Sequence, residues 1–513
     1  MPNEIELKLR IAATDVLRLR RHPAIKQHLV GKPITRRLIS IYYDTPDLKL
    51  LDAAISLRVR RMSGGWFQAV KGAGHSLGGL HQRMEWEDII AKGEPDFTKI
   101  TEPFLADIFA DQALRDALKP IFITDVQRTE WQLQYEDGSA IEVALDLGEL
   151  QIGELQVGKK REPVSREPIR EVELELKHGH ASHLFDLALA LQANIPLHIE
   201  NVSKAQRGYA YYRPQIAGTS KAETIALEAD MSADQAFRQI AGECLRHMQS
   251  NQEVALIGED PEGVHQMRVA LRRLRVAIKL FKCDVADLQD ELRWLNANLA
   301  AARDWDVFLH ETLPNAGTAL QADEPKLDLL QEHALAVCLQ THKRLKRTLN
   351  SQRYARLLLN LGAVLTAEDH PIKGKLIKLA EHELQKAYET LRKYGDRLSE
   401  LNAKQRHKFR IHSKYLHYAA DFFADIHKGN KQALKTQTLI DHIKPLQKLL
   451  GQSNDMVVTE LLLQKLARKQ AHPDLQEAIT LVMDWNSRRA ARTSTQVEKA
   501  WRSSHLKQAI AGL

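Results

Sequence analysis

The segment EIELKLR, residues 4–10, places two acids and a base on one side of an apolar stretch. Glu4, Glu6 and Lys8 stand at every second position, which on a β-strand turns their side chains to the same face. An ordinary strand with one solvated face shows this alternation too. The pattern becomes informative because it recurs: the segment EVELELK, residues 171–177, repeats it with three glutamates.

Acids and bases are grouped along these alternating segments. The acids lie on the first and the late strands, at Glu4, Glu6, Asp146, Glu171, Glu173 and Glu175, and the bases lie mainly on the middle strands, at Arg58, Arg60, Lys71, Arg83 and Arg128. Crowded carboxylates repel unless a cation lies among them, and Mg²⁺ takes carboxylate and phosphate oxygens as ligands. Arg and Lys bind phosphate oxygens. A closed barrel that holds both sets would bind a metal–polyphosphate, although Glu85, Glu87 and Glu142 fit a surface position equally well.

The elements that carry these charges are short strands joined by glycine-rich turns. Alternation predicts eight of them, at 4–10, 38–43, 55–61, 66–71, 83–90, 128–135, 140–147 and 169–177, with helical pieces near 14–29, 101–118 and 181–194. Eight charged-face strands in one compact stretch favour an antiparallel barrel over an open sheet. We therefore predict an α+β domain over residues 1–213, built on an eight-stranded antiparallel tunnel barrel.

Beyond residue 213 the sequence changes character. Residues 214–221, PQIAGTSK, have the composition of a linker. From residue 222 to 513 apolar residues recur at spacings of three and four, which predicts antiparallel helices and an all-α domain.

The helical half contains an internal repeat. Residues 264–281 resemble residues 406–423, and some thirty residues later Asp304 aligns with Asp455. This indicates duplicated helical units at about 222–365 and 366–513. Each copy carries a polar stripe at helical spacing, consisting of His265, Arg268, Arg272, Arg275 and Lys279 in the first and His407, Arg410 and Lys414 in the second. Such a stripe is usually a solvated helix face, but duplicated histidines and arginines favour a polyanion site.

The net charge, the apolar runs and the cysteine content of the sequence argue against several classes of protein. The 513-residue chain carries a net charge of +7, distributed as −1 through Arg213 and +8 beyond it. No apolar run approaches the roughly 20 residues of a membrane span, and no secretory leader is visible. Cys244, Cys283 and Cys338 lie far apart, which predicts reduced thiols in the cytoplasm and neither a disulfide framework nor a zinc site.

The N-terminal half resembles the CYTH domains, the triphosphate tunnel metalloenzymes. Glu4-x-Glu6-x-Lys8 matches their ExExK signature, and LRVRR, WFQAVKG, GLHQRMEWE, VQRTEWQL, ALDLGEL, REVELELK and SKAQRGYAYY follow in family order. The resemblance implies catalytic roles for Glu4, Glu6 and Lys8, with Mg²⁺ or Mn²⁺ held by Glu4, Glu6, Asp146, Glu171, Glu173 and Glu175. It implies triphosphate binding by Lys8, Arg58, Arg60, Lys71, Arg83, Arg128 and Lys204.

The C-terminal half resembles the CHAD domain, a conserved-histidine α-helical domain that binds inorganic polyphosphate. The H-x-x-R-x-x-x-R-x-x-R stripe at 265–275 carries the likeness best, while the second copy has Lys414 where the first has an arginine. The resemblance implies polyphosphate binding by the residues of both stripes. Aromatic residues are few and no base-reading module is present, so nucleic acid is the weaker partner.

Together these features predict a cytoplasmic inorganic triphosphatase that releases pyrophosphate and phosphate and holds polyphosphate on its helical half. A class IV-type adenylyl cyclase or another organic triphosphatase is one alternative. A non-catalytic polyphosphate-binding scaffold is another. The sequence leaves open the substrate preference, the metal and its number, the ligands among the three late glutamates, the oligomeric state, and the coupling between the halves.

Overall fold

Two compact units form the chain. The structure is a computed structural model that describes residues 3–62, 64–77, 79–152, 165–214, 217–320, 324–367, 372, 374–426, 431–469, 472–504 and 506. The first unit comprises residues 1–217 and 350–367, and the second comprises residues 218–349 and 368–513.

The first unit is built on an antiparallel sheet. Its strands are β1 Asn3–Ile11, β2 Leu29–Asp44, β3 Ser56–Met62, β4 Gly65–Leu77, β5 Leu80–Ile90, β6 Lys119–Gln134, β7 Ala140–Ile152, β8 Ser165–His178 and β9 Leu197–Ile199. They pair in the order β5-β4-β3-β2-β6-β7-β8-β1-β9, and β1 also pairs with β5, so that the first eight strands return on themselves as a barrel. This confirms the predicted antiparallel tunnel-like fold, with the short β9 as an addition to the end of β1.

Seven short helices cover the barrel or close it: α1 Val16–Arg20, α2 Pro23–His28, α3 Lys49–Asp52, α4 Pro103–Phe109, α5 Gln112–Ala117, α6 Ser182–Gln192 and α7 Lys204–Tyr212. Most outward side chains of the strands are apolar and pack under them. Leu7 and Leu9 of β1, for example, are fully buried in one cluster with Leu184 and Phe185 of α6. Burying each such side chain contributes about 1.5–3 kcal/mol. Because the outward face forms the core, the charged face of every strand is left for the interior of the barrel.

Helix α7 packs against the inner side of the barrel wall. Tyr209 lies edge-on to Phe122 of β6, with ring centroids 5.4 Å apart. Gly208 permits this approach, since a Cβ at that position would lie 2.4 Å from the Phe122 ring. The helix therefore carries its first residue, Lys204, into the tunnel.

In the described part of the chain beyond α7, the secondary structure is helical: α8 Ala233–Ser250, α9 Gln252–Ile257, α10 Pro261–Leu280, α11 Gln289–Val307, α12 Leu313–Leu320, α13 Glu324–Leu349, α14 Gln352–Thr366, α15 Leu376–Gly395, α16 Ala403–Phe422, α17 Lys431–Lys469 and α18 Pro473–Arg502. A π-helical turn at Phe308–Thr312 joins α11 to α12. The all-α prediction for this region is confirmed. No helix in the described stretches combines the length and the hydropathy of a membrane span.

The repeated segments lie on corresponding helices of the second unit. Helices α10 and α16 carry the polar stripes and pack against each other, as do α11 and α17. The aligned residues Phe281 and Phe423 contact one another across this pairing, with ring centroids 6.2 Å apart. One element departs from the expected repeat, because α14 belongs to the first unit, where its Leu359 is buried in the α6 cluster.

Candidate functional site

The barrel encloses a cavity of about 540 Å³ whose wall is mostly charged. Of its twenty described lining residues, fifteen are charged, eight of them acids and seven bases. The wall consists of Glu4, Glu6, Lys8, Tyr42, Ser56, Arg58, Arg60, Lys71, Glu85, Glu87, Arg128, Glu130, Glu142, Glu173, Glu175, Leu176, Lys177, Ser203, Lys204 and Ala205. The first and the late strands therefore do meet inside one enclosed channel.

A row of three glutamates crosses three neighbouring strands on this wall. Glu175 of β8 lies directly opposite Glu6 of β1 on one side and Glu142 of β7 on the other. Like charges at directly opposed positions destabilise a sheet. Burial, together with Glu4 and Glu142, raises the pKa of Glu175 even though Lys177 Nζ lies 2.7 Å from its carboxylate. This row is short of positive charge.

Two residues further along β1 and β8, acids and bases alternate. Lys8 of β1 is opposite Glu173 of β8. Lys8 Nζ lies 2.8 Å from Glu6 and 3.2 Å from Glu173, and Lys204 Nζ lies 2.8 Å from Glu173. Although burial alone would raise it, the pKa of Glu173 is held well below its usual range by Lys204, Lys8 and Arg128.

Beneath the wall, Asp146 and Glu171 are fully buried and do not line the cavity. Asp146 accepts two hydrogen bonds of 2.7 Å from Arg128 and lies 2.9 Å from Lys204 Nζ. Glu171 lies 2.6 Å from Lys204 Nζ and accepts a hydrogen bond from Arg207. In this arrangement the two buried carboxylates orient the cations that face the cavity.

The opposite wall carries a second ion-pair network. Lys71 Nζ lies 2.8 Å from Glu4 and 2.9 Å from Glu85. Arg58 donates to Glu85 at 3.2 Å, while its buried Nε has no hydrogen-bond partner. Burial opposes the effect, but Lys71 and Arg58 lower the pKa of Glu85 to about 2.

Arg60 differs from the other tunnel cations. Among the described residues it donates one hydrogen bond, of 3.0 Å, to Ser40 Oγ and forms no ion pair. Burial, then the neighbouring Arg58 and Arg128, lower the pKa of its guanidinium to about 10. A partly buried cation without a counter-ion among the described residues, beside two others, is an incomplete anion site.

The carboxylate donor set fits a divalent metal by its chemistry. Its oxygens are the hard ligands that Mg²⁺ and Mn²⁺ prefer. Within the described chain, however, the one trio whose ligand atoms all lie within 4.8 Å of one another is in the helical unit, so the tunnel carboxylates do not converge here. Ammonium and guanidinium groups stand between them instead. A polyphosphate that drew these cations onto its own oxygens would leave the carboxylates unpaired, and a metal ion would then restore the balance.

Most of the tunnel residues predicted from sequence line this cavity. Arg83 lies on β5, but its side chain is outside the described part of the chain. Asp146 and Glu171 are at the base, as described above. The open choice for Glu85, Glu87 and Glu142 is decided in favour of the wall.

Three further charges were missed. Glu130 and Lys177 line the cavity, and Arg207 pairs with Glu171 beneath it. The signals were present in the sequence: Glu130 follows Arg128 by two residues, Lys177 follows Glu175 by two, and Arg207 follows Lys204 by three on a helix.

The second unit contains a basic cavity of about 840 Å³. The stripes of α10 and α16 line it together, with Arg268, Arg272, Arg275, Lys279, His407, Arg410 and Lys414 among its wall residues. An adjoining cavity of about 210 Å³ shares four of these residues and adds His265. The structure therefore gathers all eight predicted stripe residues around one pair of connected sites.

Positive charge exceeds negative charge in this basic cavity. Burial, then Arg272 and Arg410, lower the pKa of Lys414 to about 6. Burial and Arg272 likewise lower the pKa of Arg410 to about 10. Burial and Arg303 lower the pKa of His265 to about 4. The Nε donors of Arg268 and Arg410 are buried without partners.

Comparison with known families agrees with both units. The sequence matches the CYTH domain model over residues 2–209 and the CHAD domain model over residues 239–464. The chain therefore contains a CHAD domain, preceded by a segment that matches the CYTH domain model.

Two relatives illustrate the likeness. A protein of Haemophilus influenzae (strain ATCC 51907 / DSM 11121 / KW20 / Rd), named inorganic triphosphatase, is 33% identical over 212 residues, which are 41% of this chain and 55% of that protein. The chain thus matches about half the length of this relative. The crystal structure of the CHAD domain from the plant Ricinus communis is 32% identical with a TM-score of 0.50, covering 58% of this chain and 97% of that one.

Proposed function

We propose that the barrel is a metal-dependent triphosphatase that hydrolyses inorganic triphosphate to pyrophosphate and phosphate. The observation that carries this proposal is the tunnel wall, on which a row short of positive charge, Glu6, Glu175 and Glu142, shares one cavity with the unpaired guanidinium of Arg60. A site for an anion alone needs bases and few acids. A site for an anion with its metal needs both.

In this proposal the cations hold the substrate in an extended form. Arg58 and Arg60 lie on one strand and Lys71 on its neighbour, so their donors can follow a chain of phosphates. Lys204 and Arg128 approach from the other side, kept in place by Asp146. Phosphoryl transfer depends mainly on such positioning and on neutralising charge.

The acids serve the other end of the substrate. Glu4, Glu6, Glu173 and Glu175 line the cavity and would hold Mg²⁺ or Mn²⁺, which neutralises phosphate oxygens and makes a bound water more acidic. The carboxylates nearest the terminal phosphate would accept hydrogen bonds from the attacking water and orient it in line. Lys8, between Glu6 and Glu173, limits the repulsion within this group.

The wall favours an inorganic substrate. A nucleotide needs an apolar or aromatic surface for its base, as ligand sites generally provide. Here the non-charged lining residues are Tyr42, Ser56, Leu176, Ser203 and Ala205, as far as the chain is described. The name of the Haemophilus influenzae relative points to the same substrate.

The test is a phosphate-release assay across inorganic triphosphate, nucleoside triphosphates and long polyphosphate, with Mg²⁺, Mn²⁺ and no metal. We expect inorganic triphosphate to be preferred and activity to vanish with a chelator. Glu136→Gln, on an exposed turn outside the tunnel, is the surface control and should keep the wild-type rate. Formation of cyclic AMP and pyrophosphate from ATP would instead establish a cyclase.

We further propose that the helical unit binds inorganic polyphosphate. Its support is the meeting of the two duplicated stripes across one cavity, where buried arginine donors lack partners. Polyphosphate carries about one charge for each phosphate, so its affinity should fall steeply with salt, as it does for nucleic-acid phosphates.

Polyphosphate retention by the double variant Arg268→Glu/Arg272→Glu tests this second site. Binding should be lost while triphosphate hydrolysis is kept. Arg344→Glu, an exposed residue of α13, controls for bulk charge and should bind like the wild type. A protein that retains polyphosphate but releases no phosphate from any triphosphate would be the scaffold alternative. The three cysteines are free thiols, which fits the cytoplasm as the proposed compartment.

A further inference from the structure

A cluster of three metal-type ligands lies in the helical unit, and none of the three lines the basic cavity or the cavity adjoining it. Cys338 and His342 are four residues apart on α13, so they share one face of that helix. Asp306, near the end of α11, lies against both. Its Oδ1 is 2.7 Å from His342 Nε2 and 3.5 Å from Cys338 Sγ. The wide spacing of the three cysteines predicted no zinc site. That spacing could not reveal this cluster, because its third ligand comes from a different helix.

The cluster is buried and incompletely satisfied. Asp306 is 2% exposed, and its Oδ2 has no hydrogen-bond partner in the described structure. Nδ1 of His342 is likewise buried without a partner. An unpaired oxygen on a buried carboxylate is costly, and in native proteins such an atom commonly marks an ion or a water. Among the described residues this is the sole trio whose ligand atoms all approach within 4.8 Å.

Two simpler interpretations of this cluster, a cysteine nucleophile and a purely structural group of hydrogen bonds, account for fewer of these observations. A nucleophile would need the histidine between the thiol and the acid, whereas here the acid is in the middle. Burial, then Asp306, raises the pKa of the Cys338 thiol to about 12, as expected for a buried thiol beside a carboxylate. A hydrogen-bonded cluster that the fold of the repeat required would be expected in both copies. In the second copy, however, the position of Asp306 is occupied by Val457, an exposed residue.

The spacing of the ligand atoms suits zinc. Bonds of about 2.3 Å to sulfur and about 2.0 Å to oxygen, at a tetrahedral angle, separate the two atoms by about 3.5 Å, as found for Cys338 and Asp306. The nitrogen of His342 would need to move away from Asp306 by about 0.6 Å to exchange its hydrogen bond for a metal bond. We propose that Asp306, Cys338 and His342 form a Zn²⁺ site, with water as the fourth ligand.

Binding there would join α11 to α13. The metal would replace the thiol proton of Cys338, which passes to solvent. It would also take the lone pair of His342 Nε2, once the ring proton that Nε2 shares with Asp306 has moved, by exchange with solvent, to the unpartnered Nδ1. Asp304, two residues from Asp306 on α11, contacts Arg268 of the basic cavity at 3.2 Å. The zinc site would therefore fix the helix end that places this acid.

Cobalt substitution tests the proposal on the full-length protein. Metal-free protein is titrated with Co²⁺ in excess Mg²⁺, which competes with Co²⁺ for the tunnel carboxylates, and the thiolate-to-cobalt charge-transfer absorption is recorded. We expect one equivalent of Co²⁺ to bind with this absorption and Zn²⁺ to displace it. Cys338→Ser should abolish the band, and Asp306→Asn should weaken affinity by about 100-fold or more, since loss of even an outer partner costs 10–100-fold.

Cys244→Ser is the matched control, because Cys244 is also buried and burial raises its pKa to about 12 as well. This variant should keep the charge-transfer band, and Zn²⁺ should raise the midpoint of its thermal unfolding as in the wild type. Helical circular dichroism establishes that each variant is folded. Should Cys338→Ser fail to fold, Asp306→Asn decides. A folded wild-type protein without the band, a band that survives Cys338→Ser, or one lost in Cys244→Ser would overturn the proposal.

Discussion

Replacing Arg60 with glutamine should weaken catalysis and at the same time stabilise the free protein. The guanidinium is held in the tunnel with a pKa lowered to about 10, chiefly by burial and then by Arg58 and Arg128. From the ordinary 12.5, and at about 1.4 kcal/mol for each pKa unit, keeping Arg60 charged costs the folded state about 3 kcal/mol. This cost applies in full at any pH below about 10, because Arg60 is then charged in both the folded and the unfolded chain.

Glutamine removes the charge but also loses the hydrogen bond to Ser40, worth about 1 kcal/mol. We therefore expect the free energy of unfolding to rise by about 1–2 kcal/mol, which raises the thermal midpoint by several degrees. A hydrogen bond between charged groups contributes about 1.5–3 kcal/mol to substrate binding. Its loss should lower kcat/KM for inorganic triphosphate by about 10- to 150-fold.

The assay pairs initial rates of phosphate release with differential scanning calorimetry of the full chain. Arg37→Gln is the matched control, since Arg37 lies on the outer face of β2 and pairs with Asp125 at 2.8 Å. It should keep kcat/KM and gain no stability. If Arg60→Gln kept its activity within twofold, or melted at a lower temperature than the wild type, Arg60 would be a structural residue and the reasoning would fail.

Three further changes test other parts of the molecule. Glu4→Ala should lower kcat for triphosphate about 100-fold, as loss of an electrostatic anchor does, and an unchanged rate would end the assignment of the tunnel. Lys414, whose pKa burial lowers to about 6, is neutral at pH 7–9 in the empty cavity, so polyphosphate binding should take up about one proton. Calorimetry in buffers of different ionisation enthalpy measures this uptake, and Lys414→Met should abolish it. Gly208→Ala should destabilise the barrel by about 1–3 kcal/mol in chemical denaturation, since its Cβ would lie 2.4 Å from the Phe122 ring; full stability would contradict the packing described for α7.

Sequence periodicity was sufficient for the fold class of both units. A period of two with charges on one face identified the strands, because residues two apart share a side of a pleated strand whatever the rest of the chain does. The same local rule placed the stripes of α10 and α16. Structure that depends on pairing between distant segments was harder to predict from the sequence. Strand β2 runs from Leu29 to Asp44, well beyond the predicted 38–43, because its exposed part is held by pairing with β6 and not by its own pattern.

The site residues show the same difference between what local periodicity predicts and what depends on long-range pairing. Glu6 and Glu175 could be assigned to a common face from sequence, but their direct opposition depends on strand register, which turns and packing determine. Sequence could not separate Glu171 from Glu173 and Glu175, because all three point inward. The structure separates them through Lys204 and Arg207, brought by a helix some thirty residues later to cover Glu171.

By itself, then, the sequence determined which side chains share a face and that the chain changes from strands to helices near residue 213. The tertiary structure alone decided which faces meet: that the acids and bases line one tunnel, that two copies of a stripe share one cavity, and that Asp306 reaches Cys338 and His342. The reason is physical. Periodicity reports the local geometry of one element, whereas a site forms between elements whose approach is fixed by the burial of their opposite, apolar faces.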